Sequence, residues 1–131
     1  MRLLCSAAVV MLALALGACG ESDEEKAQNK VCDAKADIGE QVNELNSLTP
    51  ATVTADGVTQ SLDAIKNDLQ DIADAQSDLS TGRRSEAEAA NKAFTSSVQE
   101  IASELGSSGV VTALDQLAAS YQKAFAPVTC D

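Results

Sequence analysis

The chain lacks the residues that most enzymes use. It contains no histidine, no tryptophan, one tyrosine and two phenylalanines among its 131 residues. Without histidine it cannot form the Ser–His or Cys–His pairs of many hydrolases, nor use a histidine as general base. Paired carboxylates serve glycosidases, but the aromatic residues that would stack a sugar ring are almost absent. We therefore predict that the protein is not an enzyme and needs no cofactor.

Basic residues are also scarce. Nine lysines and arginines face 20 aspartates and glutamates, so the net charge at pH 7 is −11. A chain of this charge is repelled by phosphate backbones and by anionic lipid headgroups. We therefore predict no nucleic-acid partner, and no attachment to a membrane through surface charge alone.

Two short motifs suggest chemistry that the rest of the sequence does not support. Residues 71–82 carry Asp71, Asp74 and Asp78 at helical spacing, whereas a calcium-binding EF-hand loop needs ligands at alternate positions. Residues 120–123 match the S-x-x-K motif of serine β-lactamases, but the companion K-T-G is missing and the chain is too short for that fold. We predict neither a metal site nor a serine nucleophile.

The only long apolar run lies at the N-terminus. Arg2 precedes an apolar segment over residues 3–16, which is shorter than the roughly 20 residues of a membrane-spanning helix. The segment ends in Leu16-Gly17-Ala18-Cys19, which resembles the lipobox of bacterial lipoproteins. That resemblance implies cleavage before Cys19 and attachment of a diacylglyceryl group to its thiol. The alternative is an ordinary secretory signal that ends beside a cysteine by chance.

The lipobox resemblance implies a division of the chain and a location. Residues 1–18 would be the signal peptide, 19–27 the acylated cysteine with a flexible spacer, and 28–131 a helical domain. The remaining 113 residues carry 8 basic and 20 acidic side chains, a net charge of about −12. The composition is similar to that of small helical lipoproteins from high-GC Gram-positive bacteria. We expect a protein that the lipid on Cys19 holds at the cell membrane, facing outside the cytoplasm.

Four cysteines are present, of which three would remain after cleavage and two would keep an unmodified thiol. Cys5 leaves with the signal peptide and Cys19 is used by the lipid, which leaves Cys32 and Cys130 as an even pair outside the cytoplasm. Such a pair predicts one disulfide. The alternative of two free metal-binding thiols is weak, because there is no histidine and two cysteines do not complete a zinc site.

Apolar residues recur every three to four positions along most of the domain. This spacing predicts helices over about 25–47, 55–80, 87–105 and 110–125. Pro50 separates the first helix from the second, and the GSSG segment at 106–109 separates the third helix from the fourth. We therefore predict an all-α, up-and-down bundle of three or four helices with one disulfide.

The joint between the second and third helices leaves an alternative open. Gly82 is placed as a helix C-cap glycine, and Ser85 with Glu88 has the form of a capping box. The spacing of apolar residues by three or four positions nearly continues from the second helix into the third, so one long helix through residue 82 is the alternative. We expect Arg83 and Arg84 to pair with nearby acids or to cap the preceding carbonyls; binding an anion at a helix N-terminus is the alternative.

The sequence predicts a function only in broad terms. We expect a non-enzymatic interaction or structural module at the cell envelope, with an envelope protein or the cell wall as its partner. The alternative is a carrier that holds a lipid or another apolar ligand between its helices. A close-packed core would disfavour the carrier, and a wide apolar cavity would favour it.

The lipid anchor gives the first testable prediction. Replacing the lipidated residue, Cys19→Ser, should move the protein from the membrane fraction to the soluble fraction of producing cells, because the acidic surface offers no other attachment. Immunoblotting of the two fractions measures this. A variant that stays in the membrane fraction would contradict the anchor, and Cys5→Ser serves as the control that should change nothing.

Overall fold

The computed structural model describes residues 22–130. The predicted signal peptide over 1–18, the lipobox and Cys19 lie outside the described residues. The chain within them forms four α-helices in an all-α bundle, as predicted, and these residues contain no β-strand. The helices are α1 (Asp23–Asn46), α2 (Ala55–Ala75), α3 (Thr81–Glu104) and α4 (Val110–Phe125), with a short 3₁₀ helix (Gln76–Asp78) between α2 and α3.

The helices run up and down around one core. Each helix packs against the next one in the chain, and α4 packs against α1 to close the ring. One end of the bundle, which we call the disulfide end, holds the start of α1, the 3₁₀ helix and Cys130. The other end, the loop end, holds the connections over residues 47–54 and 105–109. Gly106 has a φ of +83°, a conformation that glycine adopts without strain, and it turns the chain directly after α3.

Helix α1 starts earlier than the sequence analysis predicted. Ser22 Oγ accepts a hydrogen bond from the Glu25 backbone N–H (3.2 Å), and the Glu25 carboxylate accepts one from the Ser22 N–H (3.0 Å). This capping box satisfies two backbone donors that a helix start leaves free. The prediction of a flexible spacer as far as residue 27 was therefore wrong from Asp23 onward, and Ala27 already lies in the core.

The second helix begins as predicted, but the joint after it differs. Thr54 caps α2 by accepting a hydrogen bond from the Gly57 N–H at 3.1 Å. The chain does break between α2 and α3, so the alternative of one continuous helix is wrong. The predicted capping box at Ser85 and Glu88 is also wrong, because α3 already begins at Thr81 and includes Gly82 in its first turn.

Helix α3 has no side-chain cap at its start, and Arg84 in its first turns instead connects it to the preceding segment. Its guanidinium group donates to the carbonyl oxygens of Gln76 (3.0 Å), Ser77 (2.9 Å) and Leu79 (3.3 Å). These carbonyls belong to the segment that follows α2, and the Gln76 oxygen also accepts the Leu79 N–H at 3.2 Å. The prediction that this arginine caps preceding carbonyls is confirmed, and the interaction fixes the turn between α2 and α3.

The core is apolar throughout. Each helix contributes a stripe of buried residues at the spacing seen in the sequence, and no polar or charged residue is buried among those described. The largest fully buried side chains include Phe94, Phe125, Ile38, Leu45 and Leu62. Phe94 packs edge-on against Tyr121 and Phe125, with ring centroids 5.8 and 5.7 Å away. The three aromatic rings of the chain therefore form a single cluster between α3 and α4.

The contact between α1 and α4 includes a close approach of a side chain to the backbone of the other helix. Tyr121 donates its hydroxyl proton to the Lys35 carbonyl oxygen of α1 at 2.7 Å. A Cβ atom placed on Gly39 would lie 2.8 Å from the Tyr121 hydroxyl, so only glycine fits beside the ring without movement. Burial raises the pKa of Tyr121, which therefore stays protonated and able to donate this bond.

The C-terminal segment is fastened across α1, as the cysteine pair predicted. Cys32 and Cys130 form a disulfide, which confirms that prediction, and the two residues are 98 positions apart. Lys35 Nζ donates to the Val128 carbonyl oxygen at 2.8 Å, and the Val128 side chain is buried. In the chain-entropy account a loop of this length stabilises the fold by about 4–5 kcal/mol.

The fit between Gly39 and Tyr121 can be tested by a double-mutant cycle. Gly39→Ala should lower the free energy of unfolding by about 1–3 kcal/mol, because the new methyl group overlaps the Tyr121 hydroxyl. In a Tyr121→Phe background, Gly39→Ala should lower the free energy of unfolding clearly less, since the clashing hydroxyl oxygen is absent. Urea denaturation of the four proteins measures the coupling.

Gly82→Ala is the matched control for that cycle. Gly82 is also helical, but nothing lies within 4 Å of a Cβ atom placed there. The substitution should leave stability unchanged or raise it by up to about 1 kcal/mol through helix propensity. Equal effects of Gly39→Ala in the two backgrounds would contradict the proposed steric fit.

Candidate functional site

A groove runs along the outer face of the bundle between α3 and α4. Its part near the disulfide end has a volume of about 550 Å³ and is lined by small side chains, including Ala89, Ala93 and Ala124. Its part near the loop end has a volume of about 410 Å³. Ser97 and Ser120 line both parts, so the two form one continuous groove. We call it the α3–α4 groove.

The groove exists because α3 has small residues on its outer face. Ser85, Ala89, Ala93 and Ser97 follow one another at intervals of four and form a single row along the helix. The large apolar side chains of α3, such as Phe94, point into the core on a different face. The small side chains therefore fill little of the space between α3 and α4 on the solvent side.

The two ends of the groove differ in charge. Glu86 and Lys123 line the part near the disulfide end, so both signs are present there. Glu100 and Glu104 line the part near the loop end. The whole segment 93–122 contains no lysine or arginine. The groove is therefore mixed in charge at one end and purely acidic at the other.

The same division holds for the bundle as a whole. Residues 36–65, which form the loop-end half of α1 and α2, also lack lysine and arginine. All eight basic residues of the described chain lie outside these two segments, toward the disulfide end. The described part of the chain contains two ion pairs, and one of them, Lys30 to Asp71 (3.8 Å), lies near that end. The loop end consequently has a net negative charge, of which only Asp63 is paired with a basic residue in the described chain, Lys66 at 3.7 Å.

A second groove, between α1 and α2, has a different character. It has a volume of about 390 Å³ and is lined mainly by charged residues, including Asp37, Asp68 and Asp71. Partial burial raises the pKa of Asp68, and the nearby charges of Asp37 and Asp71 raise it further. Among the described residues no group of histidine, cysteine and carboxylate side chains is arranged to hold a metal ion.

The structure also locates the other sequence-predicted residues. Cys32 and Cys130 are joined by the disulfide and lie far from the acidic part of the groove, while Cys19 lies outside the described residues. Ser120 and Lys123 both line the groove, but the intervening Tyr121 points toward α1. The groove was not predicted from the sequence, although the four-residue spacing of small residues on α3 was a signal that could have indicated it.

Comparisons with known proteins do not extend this description. The chain gave no significant match to any protein-family model, curated protein or solved structure. None of the helices described here has the length and hydropathy needed to cross a membrane.

The raised pKa of Asp68 predicts a dependence of stability on pH. A carboxyl whose pKa in the folded protein is above its ordinary value of 3.8 destabilises the fold when it is ionised. Asp68→Asn should therefore raise the melting temperature at pH 7. The gain should shrink as the pH falls through the raised pKa and vanish below about 3.8, where Asp68 is protonated in both states.

Thermal melts of the wild type and the variant between pH 3 and pH 7 measure this effect. Asp56→Asn is the control, because Asp56 lies in the first turn of α2, where a negative charge is favourable. Its neutralisation should leave the melting temperature at pH 7 unchanged or lower it. A lower melting temperature for Asp68→Asn at pH 7 would show that the charge of Asp68 is stabilising.

Proposed function

We propose that the protein is a lipid-anchored, non-enzymatic interaction module that the acylated Cys19 holds at the outer face of the cell membrane. The lipobox resemblance supports the anchor. The early start of α1 adds a geometric consequence, because four residue steps from Cys19 to Asp23 reach at most about 14 Å. On this proposal the disulfide end of the bundle lies beside the membrane.

The loop end then projects away from the membrane surface. Helix α1 has 24 residues and is therefore about 36 Å long. The acidic half of the bundle is at the far end of that length. This arrangement reduces repulsion from anionic lipids, since the part of the chain that contains all the basic residues is the part nearest to them.

The observation that favours an interaction function over a carrier function is the position of the open space. The interior is filled by apolar side chains, and Ile38, Ile65 and Phe94 are fully buried. The grooves of about 550 and 410 Å³ lie outside this core. A carrier would need an apolar cavity that encloses most of its ligand. An open groove on a rigid scaffold is better suited to contact with another macromolecule.

Crosslinking in producing cells tests this proposal. Cells that express the wild type or the Cys19→Ser variant are treated with an amine-reactive crosslinker, and the tagged protein is purified in detergent. We expect a discrete adduct with an envelope protein or with wall material in the wild type, and a much weaker one in the variant, which is no longer held at the membrane. Mass spectrometry identifies the attached species.

Two outcomes would contradict the proposal. Equal adducts from both proteins would show that the anchor does not determine the partner. A wild type without adducts that instead carries one lipid molecule per chain, beyond the lipid on Cys19, would favour the carrier function.

A further inference from the structure

The α3–α4 groove has the shape and charge of a binding site for one helix of another protein. We propose that it binds an amphipathic helix with small or apolar residues along one face and lysine or arginine at the end that meets Glu100 and Glu104. The inference rests on the proposed interaction function and specifies its partner.

The length of the groove matches a helix of ordinary size. Its lining runs along α3 from Ser85 to Glu104, a distance of about 30 Å. A helix of about 20 residues covers that length. Small residues at the contact allow helix axes to approach toward the short end of the usual 8–10 Å range. The row from Ser85 to Ser97 supplies such residues along nearly two thirds of the groove, and Ala124 faces it from α4.

Charge determines which helix fits and in which direction. Glu100 and Glu104 are exposed, one helical turn apart, and neither has an ion-pair partner among the described residues. Glu104 accepts a hydrogen bond from Ser107 Oγ at 3.0 Å, which leaves acceptor capacity on its carboxylate. A partner with lysine or arginine at this end would compensate both charges, whereas an acidic partner would be repelled.

A second copy of the chain fits the groove less well. Two copies anchored in one membrane stand parallel, so a twofold axis between their grooves would place Glu100 and Glu104 of one copy beside the same residues of the other. No basic residue from 93–122 is available to compensate them. An antiparallel pair would bring Lys123 toward the acidic end, but it would put the two anchors on opposite sides.

An acyl chain is also a poor occupant. The groove is open to solvent along its length, and Ser85, Ser97 and Ser120 place hydroxyl groups among its alanines. At its loop end Ile101 and Leu117 line the groove together with the carboxylates of Glu100 and Glu104, so a hydrocarbon chain would lie beside two charged groups there. A peptide helix, with polar groups of its own, matches this mixture better.

Site-specific photocrosslinking in the full-length, lipidated protein tests the inference. The photoreactive residue p-benzoylphenylalanine replaces Ala93 in the groove or, as a control, Asn67 on the exposed face of α2. We expect an adduct from position 93 and not from position 67. Mass spectrometry should place the crosslink in a partner segment that is helical and contains lysine or arginine near one end.

Charge reversal tests the direction of binding. Glu100→Lys combined with Glu104→Lys should reduce the adduct from position 93 at least tenfold. Glu40→Lys combined with Glu44→Lys is the matched control. These residues are also exposed, also four positions apart and also in the loop-end half, but on α1. The control should leave the adduct unchanged, although it alters the net charge equally. Circular dichroism and thermal melts verify that each variant folds.

A synthetic peptide of the crosslinked partner segment completes the test. It should bind the wild-type protein, lose binding when its basic residues are changed to glutamate, and regain it toward the Glu100→Lys, Glu104→Lys variant. An adduct to lipid or to a second copy of the chain would overturn the inference, as would equal losses from the two charge reversals. Adducts from position 67 alone would overturn the groove inference while leaving the interaction function intact. Absence of adducts at positions 93 and 67 would count against the groove inference and against the proposed interaction function.

Discussion

The closure of α4 onto α1 is the constraint on which the rest of the structure depends. The other helix contacts join neighbours in the chain, and short loops favour those contacts. The α1–α4 contact must instead join the two ends of the domain. It combines the Tyr121 hydroxyl on the Lys35 carbonyl, the close approach of the ring to Gly39, and the Cys32–Cys130 disulfide. Without it, α4 would be held in the bundle only through α3, and the groove between these two helices would lose its support from α1.

The two faces of helix α3 have different roles: one packs in the core, and the other borders the open groove. Its inner face supplies Phe94, Val98 and Ile101 to the core, while its outer face carries serine and alanine. Larger outer residues would bury more apolar area against α4 and stabilise the pair further. The small outer residues leave a long open groove and contribute less to the stability of the α3–α4 pair. The disulfide supplies stability of another kind, since it restricts the unfolded chain rather than adding contacts.

If the proposed lipid anchor is present, anchor and charge together would orient the bundle on the membrane. The short distance from Cys19 to α1 would hold the disulfide end near the lipid surface, and the segments without basic residues would lie farthest from it. The processed chain would have a net charge of about −12 and would be repelled by an anionic surface, so a covalent lipid would be an effective way to hold it there. The same negative charge at the loop end would attract a cationic partner and repel acidic ones.

The sequence by itself determined the helical class, the four apolar stripes and the pairing of Cys32 with Cys130. Periodicity and an even cysteine count are local or countable properties. It misplaced the starts of α1 and α3. Ser22 and Glu25 formed a readable capping box, whereas α3 begins without a side-chain cap and is connected to the preceding segment by Arg84, which donates to the Gln76 carbonyl. Only the tertiary structure decided that Gly39 lies against Tyr121 and that the small residues of α3 border an open groove. Both follow from which helices become neighbours, a choice made by packing across the whole chain.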